Sequence, residues 1–221
     1  MSDLILYNYF RSSTSYRARI ALNIKGLDFE YKQIHLLNNG GEQNTPEYRK
    51  LNPMGGVPSL IHSGKLVAQS RAIIEYLNDS FPEPPLFPKN LHQTAIVKQI
   101  CDTINCDIHP LQNLRVMRYL ENKLGLNEEQ RLEWINEWVG KGFTALETLV
   151  KKSAEEYCFG SKVTTADLFL IPAMFSADRF KIDLEQFPTL YRIFKTCNQL
   201  PAFKKSHPYR QVDTPDDLRI K

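Results

Sequence analysis

The 221-residue sequence predicts an α/β domain followed by an all-α domain, and three observations carry that prediction. Strand-like and helix-like segments alternate from Leu4 to Leu77. A proline-rich stretch, Phe81-Pro82-Glu83-Pro84-Pro85-Leu86-Phe87-Pro88, then interrupts any regular element. Beyond it the apolar residues recur at helical spacing, and no segment reads convincingly as a strand. Length alone accommodates one large domain or two small ones. The proline-rich break selects two, with an α/β domain over 1–81, a linker over 82–90 and a helical domain over 91–221.

Leu4-Ile5-Leu6-Tyr7 is an apolar and aromatic run of strand length. Ile20, Leu22 and Ile24, with two alanines, form the buried side of a helix that stops at Gly26. Between them stand four hydroxyl residues, Ser12, Ser13, Thr14 and Ser15. Such residues cap a helix by accepting from its first free N–H groups, and the same N–H groups with the helix dipole favour an anion. Phe29-Glu30-Tyr31-Lys32-Gln33-Ile34 alternates at period two and reads as a strand parallel to the first. A right-handed crossover then puts Ser12 at the carboxyl edge of the sheet, where ligands bind.

Asn38–Gly41 reads as a loop, and Thr45-Pro46-Glu47 opens a short helical turn with proline at its first position. The next loop enters a strand at Pro58. A trans proline at a strand edge is the ordinary reading; a cis Val57–Pro58 bond is the rarer one, and it would offer the Val57 N–H and C=O to an extended ligand. His62-Ser63-Gly64-Lys65 makes a tight turn into the antiparallel strand Leu66-Val67-Ala68. Ser70 then reads as the N-cap of a helix that buries Ile73, Ile74 and Leu77. Its hydroxyl, with the Gln69 amide, suits a carboxylate.

Strand, helix, strand, helix, strand, strand, helix is a thioredoxin-type order. Thioredoxins carry Cys-x-x-Cys at the start of the first helix, and Ser-Ser-Thr-Ser stands there instead. That excludes a redox dithiol, so any thiol at this place arrives with a ligand, which points to glutathione.

In the second half, Gln93 to Leu120 and Asn127 to Val150 carry apolar stripes that read as packing seams, the latter opened by Asn127-Glu128-Glu129. Val163-Thr164-Thr165-Ala166-Asp167-Leu168 is a capping box with a hydrophobic staple, which makes Asp167 structural and not catalytic. The helix it opens is almost wholly apolar through Phe175 and turns polar at Ser176-Ala177-Asp178-Arg179-Phe180. Pro188 to Ser206 gives two short helices, and the tail after Pro208 reads as draped or partly mobile.

The charge balance, 28 basic against 25 acidic residues, is too mild to argue for nucleic acid or an anionic membrane. No apolar run is long enough to span a bilayer, and the opening lacks a secretory signal, so a cytoplasmic protein is expected. Cys101, Cys106, Cys158 and Cys197 form no Cys-x-x-Cys pair and have no histidine at ligand spacing. Reduced, mostly buried thiols and no metal site are the expectation.

The motifs Tyr9-Phe10-Arg11-Ser12-Ser13, Arg17-Ala18-Arg19-Ile20-Ala21-Leu22, Leu51-Asn52-Pro53, Gln69-Ser70, Pro110-Leu111-Gln112-Asn113-Leu114 and Asp213-Thr214-Pro215 together resemble the zeta class of cytosolic glutathione transferases, the class that includes maleylacetoacetate isomerase. The resemblance covers nearly the whole chain. It implies a thioredoxin-like glutathione-binding domain, an all-helical C-terminal domain, a cis Val57–Pro58 bond, a homodimer and glutathione as cofactor. By position it assigns catalysis to Ser12 and Ser13, and glutathione binding to these two with Gln43, Val57, Pro58, Gln69, Ser70, Gln112 and Asn113. Arg11, Arg179 and Arg118 would hold a small dicarboxylate substrate, since guanidinium geometry suits carboxylates. The implied reaction is isomerisation of maleylacetoacetate to fumarylacetoacetate in tyrosine and phenylalanine catabolism. The alternative is a general transferase that conjugates or dehalogenates small haloacids, and a third reading is a non-catalytic scaffold. Thr14 stands where many members of the class have cysteine.

Overall fold

The computed structural model describes residues 3–220. Two compact units emerge: one joins the chain up to Pro85 with the segment from Gln199 onward, and the other is Leu86–Asn198. The first boundary falls within the expected linker. The second differs from a helical domain running over 91–221, because the last residues return to the α/β unit.

The first unit holds a four-stranded mixed sheet, β1 (Leu4–Asn8), β2 (Glu30–Gln33), β3 (Ser59–His62) and β4 (Lys65–Ala68), in the order β2-β1-β3-β4. β2 runs parallel to β1 with Ile5 opposite Glu30, and β3 antiparallel with Leu6 opposite Leu60. Helices α1 (Ser13–Ile24), α2 (Pro46–Leu51) and α3 (Ser70–Ser80) fill the connections. Leu6 and Leu60 of the sheet, Ile20 and Leu22 of α1, and Ile73, Ile74 and Leu77 of α3 are completely buried. They form the apolar layer in which α1 packs on α3. The β3–β4 turn takes positive φ at Ser63 (49°) and Gly64 (75°), the conformation that a two-residue hairpin needs.

The second unit is helical: α4 (Leu91–Asp102), α5 (Leu114–Asn122), α6 (Glu128–Val150), α7 (Thr165–Arg179) and α8 (Pro188–Cys197). The stripe from Gln93 to Leu120 is not one helix. After α4 the chain widens into a π turn over Thr103–Ile108 and tightens into a 3-10 turn over His109–Gln112, because Pro110 cannot donate and Asn113 caps the next helix. α6 comes close to this turn at Gly142, where a Cβ would stand 2.3 Å from Ile108 Cγ1. The Asn127 cap is reciprocated by Gln130, completing a capping box.

α7 is buried from Thr165 to Ala177. Asp167 has no exposed surface and accepts from the Cys158 and Thr164 N–H groups, each at 2.8 Å. Burial raises its pKa, and these two donors oppose the rise. The carboxylate closes the capping box from inside the core. Cys101, Cys158 and Cys197 are buried and Cys106 is exposed, and none of the four is in a disulfide. Among the described residues no helix is long and apolar enough to cross a membrane, and no group of three or more His, Cys, Asp or Glu side chains is arranged to hold a metal.

The tail is bonded, not loosely draped. α9 (Pro201–Ser206) packs along α1, and the Arg19 Nε donates to the Ser206 carbonyl at 3.1 Å. Gln211 donates to the Lys205 and His207 carbonyls, and the Thr214 hydroxyl to the Pro208 carbonyl at 2.7 Å. Asp213 accepts the Phe10 N–H at 2.9 Å and the Tyr31 hydroxyl. The partners of Asp213 and of the Ser206 carbonyl lie far away in sequence, which is why the tail's polar composition concealed them.

His207 within this tail accepts the Tyr209 N–H on Nδ1 at 3.2 Å. Burial first, then the charges of Arg210 and Arg19, push its pKa from 6.5 down to about 4. The unfolded chain therefore takes a proton near pH 6.5 while the folded chain resists until about pH 4. Its stabilising contribution is present above pH 6.5 and lost progressively toward pH 4. Urea midpoints should fall across that window, and His207→Asn, which keeps an acceptor without a titrating ring, should flatten the fall. Because Asp167 titrates in both proteins, the difference isolates the imidazole; parallel pH profiles would refute it.

Candidate active site

α1 begins where β1 ends, and Ser12 is its N-cap, extended at φ −67° and ψ 120°. Ser12 Oγ accepts the Ser15 N–H at 3.2 Å, as a capping serine does. The first turn of α1 carries no acidic side chain, while Arg17 and Arg19 farther along it are completely buried. The helix dipole, with no carboxylate in the first turn to oppose it, makes the start of α1 a place that favours an anion. No cysteine lies in this unit, because all four fall within Leu86–Asn198. The unit itself therefore supplies no thiol at this place.

The loop before β3 meets this helix start directly. The Val57–Pro58 bond is cis, as the resemblance implied and the residues alone did not, and Glu83–Pro84 is cis as well. Thr14 Oγ1 donates to the Val57 carbonyl at 2.8 Å and stands 2.9 Å from Ser12 Oγ. Ser12, Thr14 and Val57 are thus joined by two consecutive hydrogen bonds. Thr14, read in the sequence as a departure from the class, is a bonded member of the site.

At the start of α3 the cap is Gln69, with φ at 74°, and Ser70 is the first helical residue. This corrects the reading of Ser70 as N-cap. The chain must reverse sharply as it leaves β4, and the left-handed turn falls on Gln69. Gln69 is exposed there, whereas Ser70 is buried and accepts from the Arg17 guanidinium at 3.3 Å. Gln43 sits buried on the loop that follows β2; its Nε2 donates to the Leu36 carbonyl at 3.3 Å, and its Oε1 has no partner within the protein. Gly41 makes room for that amide, since a Cβ there would fall 2.4 Å from Gln43 Nε2. A buried acceptor with no internal partner suits an amine or amide of a bound peptide. Arg11 is half-buried, its guanidinium 5.9 Å from the Phe10 ring centre. Ser13 is buried as the first residue of α1.

The remaining predicted residues belong to the second unit. Asn113 caps α5 by accepting the Arg115 N–H at 3.1 Å, beside buried Gln112, whose Oε1 also has no partner within the protein. Arg118 lies one turn farther on and is half-buried. Arg179 ends α7, its guanidinium 5.6 Å from the Phe180 ring centre.

Two residues behind the site escaped sequence reasoning. The wholly buried Arg19 donates to Asn8 Oδ1 at 3.0 Å, the Tyr9 carbonyl at 3.3 Å and the Phe10 carbonyl at 2.8 Å. Asp213 holds the Phe10 N–H from the other side. Together they fix the backbone that delivers Ser12. The signal for Arg19 was a charge placed inside an apolar helical stripe; Asp213 gave none beyond its motif.

A thioredoxin-type sheet with a serine-capped first helix, a cis-proline loop and an all-helical partner unit defines the glutathione S-transferase architecture. Family models agree along the chain: glutathione S-transferase, N-terminal domain, matches residues 2–79, and glutathione S-transferase, C-terminal domain, matches residues 112–201. Maleylacetoacetate isomerase of Mus musculus is 44% identical over 215 residues, covering 97% of each chain. The holo structure of a bacterial maleyl pyruvate isomerase, described as a glutathione S-transferase in the zeta class, superposes with a TM-score of 0.92 at 37% identity, over 96% of this chain and 100% of the other. Maleylacetoacetate isomerase from Methylobacterium extorquens AM1, with bound malonate and glutathione, superposes with a TM-score of 0.91 at 34% identity, over 96% and 99% of the two chains. The chain belongs to the zeta class of the glutathione S-transferase family.

Proposed function

We propose that this protein is a glutathione-dependent isomerase that converts maleylacetoacetate to fumarylacetoacetate, a step in tyrosine and phenylalanine breakdown. The observation that carries the reading is Ser12: a hydroxyl at the start of a helix with no acid in its first turn, in a unit without cysteine. That arrangement stabilises a thiolate it does not itself contain. Glutathione, when bound, supplies the nucleophile that adds to the cis double bond and leaves after rotation about the resulting single bond.

The protein's own residues then have separable tasks. Ser12 donates to the sulfur and Ser13 assists from the same turn. Val57 beside Pro58 offers backbone groups, while Gln43, Gln69, Ser70, Gln112 and Asn113 hold the remainder of the tripeptide. Arg11, Arg118 and Arg179 hold the carboxylates of a small dicarboxylate substrate. Bound malonate in the Methylobacterium extorquens structure supports a site of that chemistry. We further propose a cytoplasmic homodimer.

The test is incubation with maleylacetone, a substrate analogue, and one equivalent of glutathione. Many turnovers with no net loss of thiol are expected. Stoichiometric loss would replace the reading with conjugation or dehalogenation of small haloacids, and no binding of glutathione at millimolar concentration would leave a scaffold.

A further inference from the structure

Thr14 has one proton, and the Val57 carbonyl, which can only accept, takes it at 2.8 Å. The 2.9 Å contact between Ser12 and Thr14 must then be a bond donated by Ser12. In the free protein the order of donation runs Ser12 to Thr14 to Val57, while Ser12 Oγ accepts from the Ser15 N–H at 3.2 Å. Ser12 therefore points its only proton along the helix start and not at an anion.

Donation to an anion requires that proton to turn away from Thr14. Two oxygens would then face each other at 2.9 Å with no proton between them, unless Thr14 also turns and donates to Ser12. Both arrangements use the same heavy-atom positions, so rotation of two hydroxyls converts one into the other. In the second, Ser12 receives a hydrogen bond from a side-chain hydroxyl as well as from the Ser15 N–H, and chained donors polarise one another.

We propose that Thr14 is a positioning residue for thiolate stabilisation, acting through Ser12 by reversing the direction of its hydrogen bond when an anion is bound. This rests on the reading of Ser12 as donor to the glutathione sulfur. The role needs the strength of a hydroxyl donor, since S–H is a weak one.

The test measures the acidity of enzyme-bound glutathione from thiolate absorbance in the ultraviolet, with glutathione affinity measured separately by calorimetry. Thr14→Val, which keeps the shape and removes the hydroxyl, should raise the bound thiol's pKa by about one unit, roughly the effect of one lost hydrogen bond. Glutathione affinity at a pH below both values should change less than threefold. Thr14→Ser should restore the parent value, and Thr14→Cys should fall between. If Thr14→Val fails to fold, Thr14→Ala serves for the same comparison. An unchanged thiol pKa in a folded, glutathione-binding Thr14→Val or Thr14→Ala variant overturns the proposal alone, as would equal shifts in the Val and Ser variants. A parent protein that binds no glutathione overturns both this proposal and the reading it rests on.

Discussion

Ser12→Ala is expected to lose about 10²- to 10³-fold in kcat/KM while remaining folded, the scale seen when one preorganised donor to a developing or bound anion is removed. Structure limits the collateral damage. Ser12 is the cap of α1 and accepts only the Ser15 N–H from the backbone, so its loss costs about 1 kcal/mol of stability. Ser13 cannot take over easily, because it is already inside the helix and buried. Ser12→Gly provides the control: glycine is a better cap than alanine, by several tenths of a kcal/mol, but has no hydroxyl either. The two variants should therefore differ in melting temperature and agree in turnover. Steady-state kinetics with maleylacetone and thermal melts decide the matter, and near-parental turnover in either variant would remove Ser12 from the chemistry.

How far the sequence revealed this site depended on the distance between bonded partners. The Asn127 and Thr164 caps, the hairpin turn at Ser63-Gly64 and the apolar faces of α1 and α3 were legible because they join residues within a few positions of each other. The parallel pairing of β1 and β2 followed from alternation and handedness. What was hidden lies across long intervals: Thr14 to Val57 is 43 positions, Arg19 to Ser206 is 187 and Phe10 to Asp213 is 203. Neither spacing nor propensity encodes such pairs. Local chemistry also misled in one place. Ser70 has the composition of a cap, yet the sharp exit from β4 moved the cap to Gln69. The helical spacing from Gln93 to Leu120 was legible, and Pro110 lies where that stretch divides between α4 and α5. The cis bond at Pro58 came only from the resemblance, since proline reports its ring and not its isomer.

Arg19→Met is expected to cost about 3–5 kcal/mol, a large share of the stability of an ordinary domain. The guanidinium is completely buried and its Nε, Nη1 and Nη2 make four hydrogen bonds, to Ser206, Asn8, Tyr9 and Phe10. Burial lowers its pKa, so the charge is held at some expense and is retained for what the planar fork can join. Methionine would fill the space but leave four buried acceptors to find new partners, and each orphaned one costs about 1–3 kcal/mol before relaxation. Removing the charge also returns part of its desolvation cost, which keeps the total below that sum. Arg19→Lys should fall between, at about 2 kcal/mol, because a lysine ammonium has three donors on one atom and cannot reach three directions at once. Urea unfolding gives both values, and a Met variant within about 1 kcal/mol of the parent would refute the account. Activity should fall in the Lys variant too, since the Tyr9 and Phe10 carbonyls that Arg19 holds lead directly into Ser12. Asp213 would still hold the Phe10 N–H, but a buried guanidinium on one side and a carboxylate on the other are both needed to keep that backbone in one place. The placement of the Ser12 hydroxyl therefore depends on a side chain two turns farther along its own helix, and on a tail some two hundred residues away.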